Sequence, residues 1–173
     1  MKILAWRFGL FSGAINAVCM FAYWSQMKDK ADFSYGMLLG YVCMLVALSL
    51  IFVATYLYRK QLGGQGISFG RAFTLGLLIA LISSVIYAFA WMFINHYLYP
   101  NFWDDYTVAE LEKCKSAGLS DELLKVREAD LLKLKEIYKN PFLAFLITIT
   151  EILPIGTFVA LLSALIFKRK PSN

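Results

Sequence analysis

Glu151 is the residue whose position most suggests a chemical role, because it interrupts the apolar run from Pro141 to Phe167. Counting back from Lys168 at the helical rise places Glu151 about 25 Å along a helix, in the outer part of a bilayer core of about 30 Å. An acid at that depth usually faces protein or water. The sequence predicts that Glu151 faces a helix bundle and hydrogen-bonds residues at similar depth, among Tyr23, Tyr41, Ser84 and Tyr87.

Two interpretations of Glu151 remain open at this stage. In the first, the carboxylate makes a structural hydrogen bond or faces outward and is exposed to water. In the second, it is a protonatable or ligand-contacting site. Pro154 lies three residues further on and cannot donate a backbone hydrogen bond, which predicts a kink and an unpaired Thr150 carbonyl.

A second candidate is the glycine-rich stretch YRKQLGGQGISFGR at residues 58–71. No Gly-Lys-Ser/Thr follows the first glycines, as a Walker loop requires, and a long apolar run precedes it instead of the strand of a dinucleotide-binding unit. We interpret it as a turn between two helices, with a contact between its glycine backbone and a lipid phosphate as the sharper alternative. Ser68 is expected to cap the next helix, and Phe69 and Phe73 are expected to pack on its first turn. The residues of this turn are Arg59, Lys60, Gly63, Gly64, Gly66, Ser68, Phe69, Arg71 and Phe73.

The remaining reactive side chains do not form a catalytic or metal-binding pattern. His96 is the one histidine, Cys19 and Cys43 lie in apolar runs, and Cys114 lies alone in a charged segment. These spacings match no zinc site, nucleophile elbow or zinc-protease motif. We therefore expect no catalytic residue, metal or cofactor, and no enzymatic activity.

Composition indicates a membrane protein. Hydrophobic residues make up 60% of the chain, charged residues 17%, and the mean hydropathy is +0.61. Four runs are each long enough to cross a bilayer as a helix. We predict an all-α polytopic protein with one membrane domain, residues 1–173, and an uncleaved first helix. The predicted spans are about 6–27, 34–58, 71–96 and 142–167.

The distribution of charge predicts the topology. Basic residues without acidic neighbours flank the ends of the runs: Lys2, Arg7, Arg59, Lys60, Arg71, Lys168, Arg169 and Lys170. The positive-inside rule makes that side cytoplasmic. Both termini would then lie on the cytoplasmic side of a bacterial inner membrane, and residues 104–139 on its outer side. This placement favours contact with anionic lipid headgroups over nucleic acid.

The charged segment predicts two short helices. Thr107 and Glu110 have the spacing of a capping box for the first, which Gly118 would end. Ser120 is expected to cap the second helix. Its apolar stripe would pack on the first of these two helices and the membrane surface, or form a partner-binding or dimer face; it contains Leu124, Leu131, Leu134 and Tyr138.

Small residues recur every four positions in the first and third spans, which allows helices to approach closely in lipid. The stripes are Gly9, Gly13 and Ala17, and Ala72, Gly76, Ala80, Ser84 and Ala88. We predict a central third span packed on the first span or on a partner, with Leu78 and Ile79 facing lipid.

The turn and its flanks resemble an uncharacterised bacterial membrane family, the domain of unknown function 4199. The resemblance centres on Ile67, Ser68, Phe69, Ala72 and Phe73, extends over essentially the whole chain, and implies a four-span inner-membrane fold without an assigned activity. The first functional hypothesis is a structural or accessory protein that binds another membrane protein or itself. The alternative is a small oligomeric transporter or channel-like protein that uses Glu151.

Overall fold

Seven α-helices and a π-helical segment (Ile94–Leu98) make up most of the described part of the chain, which a computed structural model covers at residues 1–27, 34–63 and 66–168. The helices are α1 (Lys2–Met27), α2 (Ser34–Leu48), α3 (Leu50–Gln61), α4 (Phe69–Phe93), α5 (Phe102–Ser116), α6 (Asp121–Lys139) and α7 (Pro141–Phe167). No strand occurs within these ranges. The all-α prediction is confirmed.

Four stretches are long and apolar enough to cross a membrane: Lys2–Ser25, Leu38–Gln61, Phe69–Leu98 and Pro141–Phe167. Only 28–33% of the most apolar window of each is buried inside the protein, which leaves most of its apolar surface for lipid. The second span consists of α2 and α3, which are separated at Ser49. The Ser49 hydroxyl donates a hydrogen bond to the Val46 carbonyl at 2.6 Å.

The third span, formed by α4, packs against α1 on one side and α7 on another. A Cβ built on Gly9 of α1 would lie 2.7 Å from the Cβ of Ile82. A Cβ built on Gly76 of α4 would lie 2.6 Å from the Cβ of Ala160 on α7. These distances are too short for a Cβ, so each glycine permits a close approach of two helices.

The partner of the small-residue stripe on α4 differs from the main expectation. Gly76 and Ala80 pack on Ala160 and Gly156 of α7, whereas the glycines of α1 accommodate the branched side chains of Ile82 and Ile86. At the contact between α4 and α7, small residues of one helix therefore pack on small residues of the other. At the contact between α1 and α4, glycines of α1 pack on isoleucines of α4. The other stripe residues of α4 are fully buried: Ala72, Ser84 and Ala88.

The sequence predicted that Ile79 faces lipid, and this prediction is wrong. Its side chain has no exposed surface and lies in the core with Leu48, Ile51 and Leu75. Leu78 is partly buried against the same core. Small residues at every fourth position identify one face of a helix. Because α4 has neighbours on several sides, positions that flank this face are buried as well.

The glycine-rich turn lies at the end of the bundle where α3 ends and α4 begins, which we call the basic end. Ile67 is fully buried against Ala72 and Ala164, and its backbone forms an isolated bridge with Lys168. Gly63 and Gly66 have positive φ angles of 59° and 29°, a backbone conformation that favours glycine. The turn is thus attached to the end of α7.

Ser68 occupies the position before α4 in extended conformation, but its side chain makes no capping hydrogen bond. The predicted hydroxyl cap is therefore wrong, and burial of the neighbouring Ile67 positions the start of the helix instead. The rings of Phe69 and Phe73 stack with centroids 5.7 Å apart on the first turn of α4. Gly64, Arg169 and Lys170 lie outside the described residues.

The first helix of the hairpin begins six residues earlier than the capping-box motif implied, with Asn101 instead of Thr107 at the N-cap position. Thr107 lies inside α5, where its hydroxyl donates to the Trp103 carbonyl at 2.6 Å. Glu110 instead pairs with Arg127 at 2.8 Å. The helix starts at Phe102 because that ring is buried among aromatic neighbours, and this burial outweighs a local cap.

The other helix boundaries of the hairpin agree with the sequence. Gly118 has a φ of 78° after α5, and Ser120 accepts a hydrogen bond from the Leu123 amide at 3.5 Å. Asn140 accepts hydrogen bonds from the amides of Phe142 and Leu143, with Pro141 at the first position of α7. The hairpin therefore connects directly to the fourth span.

Candidate functional site

A cavity of about 360 Å³ lies where the hairpin meets the bundle, at the end opposite the basic end. We call this the hairpin end. Its wall includes residues from all four spans and from both hairpin helices. Binding sites for small ligands commonly have volumes of about 300–1,000 Å³. The cavity is therefore large enough for a small molecule or a lipid headgroup.

Aromatic rings dominate the wall of the cavity. Trp24 of α1 contacts the Trp91 ring at 5.7 Å and the Phe102 ring edge-on at 5.2 Å between centroids. Trp103 of α5 contacts Tyr138 of α6 at 4.4 Å. The lining aromatic residues are Tyr23, Trp24, Tyr41, Tyr87, Trp91, Phe102, Trp103, Tyr106 and Tyr138.

Glu151 projects from α7 onto this wall and is the one carboxylate among the described lining residues. Its carboxylate interacts with the Tyr138 hydroxyl, which also interacts with the Thr148 side chain. Burial first, and the nearby Glu151 carboxylate second, raise the pKa of Tyr138 to about 12. Tyr138 belongs to the hairpin, so its hydroxyl reaches an acid of the membrane span from outside that span.

Of the four residues predicted to hydrogen-bond Glu151, three line its cavity and one does not, and the hydrogen bond that the carboxylate forms is with Tyr138. Tyr23, Tyr41 and Tyr87 line the same cavity as Glu151. Ser84 lies outside it, and its hydroxyl donates within α4 to the Ala80 carbonyl at 2.8 Å. The sequence analysis included Tyr138 in an apolar stripe and did not connect it with Glu151. The depth of a residue along a helix can be counted from the sequence. The sequence does not show that the hairpin folds back over the bundle.

The positive charge at the cavity belongs to Arg127, which pairs with Glu110 at 2.8 Å. That hydrogen bond raises the pKa of Arg127. Arg127 and Glu110 therefore neutralise each other and join α6 to α5. No Lys or Arg forms an ion pair with Glu151 in the described ranges.

A buried polar cluster that was not predicted from the sequence lies beside the cavity. Ser12 donates a hydrogen bond to the Ala47 carbonyl at 2.9 Å and lies 3.1 Å from the Ser83 hydroxyl. Asn16, which also lines the cavity, donates to Ser83 at 3.4 Å. The spacing of Ser12 and Asn16, four residues apart on one helix face, is the signal that could have revealed this cluster.

Two cysteines also border the cavity. Cys19 of α1 and Cys43 of α2 are free thiols whose side chains interact with each other. Cys114 is free and half-buried on α5. Within the described ranges, no three His, Cys, Asp or Glu residues cluster in a way that could hold a metal ion.

The family comparison accounts for the chain nearly end to end. Residues 7–169 match the family described as "Protein of unknown function (DUF4199)". The chain belongs to this family. The resemblance inferred from the turn between α3 and α4 is thus confirmed. Neither the curated proteins nor the solved structures provide a match.

Proposed function

We propose that this member of the family is a non-enzymatic binding protein of the bacterial inner membrane, whose binding site is the cavity at the hairpin end. The proposal rests on the observation that residues from all four spans and the hairpin line one cavity. Such a site presents apolar and aromatic surface with a few polar groups, as ligand sites typically do. The binding role is a more specific form of the accessory hypothesis, because an accessory protein also acts by binding another molecule.

The transporter alternative is less well supported by the packing. Between the cavity and the basic end lie side chains without exposed surface, including Leu48, Ile51, Leu75 and Ile79. A pathway through one chain would have to open this core. We therefore propose binding at one side of the membrane, with transport through an oligomer as the second candidate because Glu151 borders the cavity.

The proposed topology places both termini in the cytoplasm and the hairpin outside it. Lys2, Arg59, Lys60, Arg71 and Lys168 lie near the helix termini of the basic end, and the hairpin combines acidic and basic residues. This asymmetry agrees with the positive-inside rule. The basic end would contact anionic headgroups of the inner leaflet.

The binding proposal can be tested with two glycines that have space around them. A Cβ added at Gly40, which lines the cavity, or at Gly70, at the basic end, meets no atom within 4 Å. Gly40→Phe would therefore fill the cavity, while Gly70→Phe is the matched control. The proteins are extracted from native membranes, and co-purifying molecules and proteins are identified by native mass spectrometry.

We expect a small molecule, lipid or protein to remain with the wild type and with Gly70→Phe but to be lost from Gly40→Phe. Equal retention by all three proteins, or retention by none, would contradict a binding role for the cavity. Reconstitution into vesicles separates the alternative: a flux of solute that Gly40→Phe abolishes would favour the transporter.

A further inference from the structure

We propose that the cavity recognises an ammonium group, either of a small organic amine or of a lipid headgroup. This inference rests on the proposed binding function and names the chemistry of its ligand. The inference rests on the Glu151 carboxylate sharing one cavity wall with many aromatic rings, of which Tyr138 and Tyr87 interact with the carboxylate. Rings attract cations through their negative faces, and a carboxylate adds a direct charge.

The electrostatic balance of the wall favours a cation over an anion. Arg127 is held by Glu110 at 2.8 Å, so its charge is already compensated. Glu151 contacts the neutral hydroxyl of Tyr138, which donates a hydrogen bond without neutralising a charge. An ionised acid with no cationic partner is costly in a membrane protein, and a bound ammonium would remove that cost.

The rings and the acid on this wall come from different elements, so the site depends on the packing of the whole bundle with the hairpin. Tyr23 comes from α1, Tyr41 from α2, Tyr87 from α4, Tyr138 from α6 and Glu151 from α7. Several aromatic faces around one cation form the kind of site that binds quaternary ammonium groups. On the α2 side of the wall, the Tyr23 ring packs against Gly36, and a Cβ added at Gly40 meets no atom within 4 Å.

Tryptophan emission provides a direct reporter of occupancy. Trp24, Trp91 and Trp103 line the cavity, and the fourth tryptophan, Trp6, is 60% exposed near the start of α1. The purified full-length protein is titrated with choline and with its uncharged analogue, in which carbon replaces the nitrogen. The two probes have nearly the same shape, so a difference between them reports the charge alone.

For a free amine, we expect a saturable change of emission with choline and at least about tenfold weaker binding of the uncharged analogue, since about 1.4 kcal/mol of cation–π and charge interaction corresponds to tenfold. Glu151→Gln keeps the side-chain shape and is expected to weaken choline binding by about tenfold or more. Glu128→Gln, an exposed acid of α6 outside the cavity wall, is the matched control and should bind choline like the wild type.

The lipid source is tested in bilayer discs of phosphatidylglycerol, with and without phosphatidylethanolamine. Selective retention of phosphatidylethanolamine by the wild type and Glu128→Gln, but not by Glu151→Gln, would assign the ammonium to a headgroup. A charge-selective response in either arm supports the inference. Equal affinity for choline and its analogue, or no binding of choline, together with unselective lipid retention, would overturn it.

Failure of this inference is distinguishable from failure of the binding proposal. If Gly40→Phe releases a co-purifying molecule that carries no ammonium group, the cavity is a binding site for other chemistry. If Gly40→Phe changes nothing and the ammonium probes do not bind, both proposals are wrong.

Discussion

Gly156 of α7 lies directly against Ala80 of α4, so close that a Cβ on the glycine would stand 2.5 Å from the Ala80 Cβ. No real Cβ contact is that short, and neither residue has a flexible end that could move aside. The contact between the third and fourth spans therefore requires that one of the two residues be glycine. In a bilayer the hydrophobic effect does not drive helices together, so such close packing is a main source of helix association.

Gly156→Ala is expected to destabilise the protein by about 1–3 kcal/mol, the usual cost of overpacking a well-packed core. Ala80→Gly combined with Gly156→Ala restores the total volume and should recover most of that loss. Gly70→Ala, which meets no atom within 4 Å, is the control and should be nearly neutral. Unfolding in detergent measures the effect, and equal stability of Gly156→Ala and Gly70→Ala would refute the packing argument.

A related test uses size at positions of different burial. Ala80→Leu should disrupt the fold strongly, whereas Leu81→Phe, at a side chain that is 44% exposed, should be mild. Yield and size-exclusion profiles of the two variants report the difference. Similar profiles would mean that the surface between α4 and α7 tolerates bulk.

The buried hydroxyl cluster should contribute modestly but cooperatively to stability. Ser12→Ala removes hydrogen bonds to Ala47 and Ser83 and is expected to cost about 0.5–2 kcal/mol, the range found for hydrogen bonds between membrane helices. A double-mutant cycle with Ser83→Ala measures their coupling. Thr157→Ala, which loses only a bond within its own helix, is the control. A coupling of zero would show that the Ser12–Ser83 contact does not stabilise the protein.

Alkaline pH should weaken the attachment of the hairpin through Tyr138. Its folded-state pKa of about 12 exceeds the ordinary value of 10.0, so the folded protein holds the proton more tightly than the unfolded chain. The stabilisation is complete below pH 10 and is lost as the pH rises from 10 to 12. Unfolding midpoints measured across this window should fall more steeply for the wild type than for Tyr138→Phe.

Tyr97→Phe is the matched control for the alkaline experiment, because this ring is 68% exposed. It should follow the wild-type pH dependence. If Tyr138→Phe and the wild type lose stability in parallel between pH 10 and 12, Tyr138 is not buried beside Glu151 in solution.

The proposed topology makes a prediction for Cys114. In a variant with Cys19→Ala and Cys43→Ala, Cys114 is the remaining thiol of the three in the chain. A membrane-impermeant thiol reagent is expected to label it in intact spheroplasts, because the hairpin would face outward. Labelling that occurs only after lysis, in protein that reacts normally once unfolded, would invert the orientation.

Much of the architecture could be predicted from the sequence because it follows from local rules. An uncharged run of about 20 residues has few alternatives to crossing the bilayer as a helix. Gly118 ends α5 and Ser120 caps α6 through contacts with near neighbours in the chain. Each of these features depends on residues a few positions apart, so no knowledge of the three-dimensional neighbours was needed.

The choice of neighbours was decided only by the tertiary structure. A four-residue period shows which face of α4 is small, but Gly156, which completes the contact with Ala80, lies 76 positions further along the chain. Burial of Phe102 started α5 upstream of the local capping signal at Thr107. Tyr138 reaches Glu151 because the hairpin folds back over the bundle. Such contacts depend on how whole helices pack, since packing energy is shared among distant residues and overrides weaker local preferences.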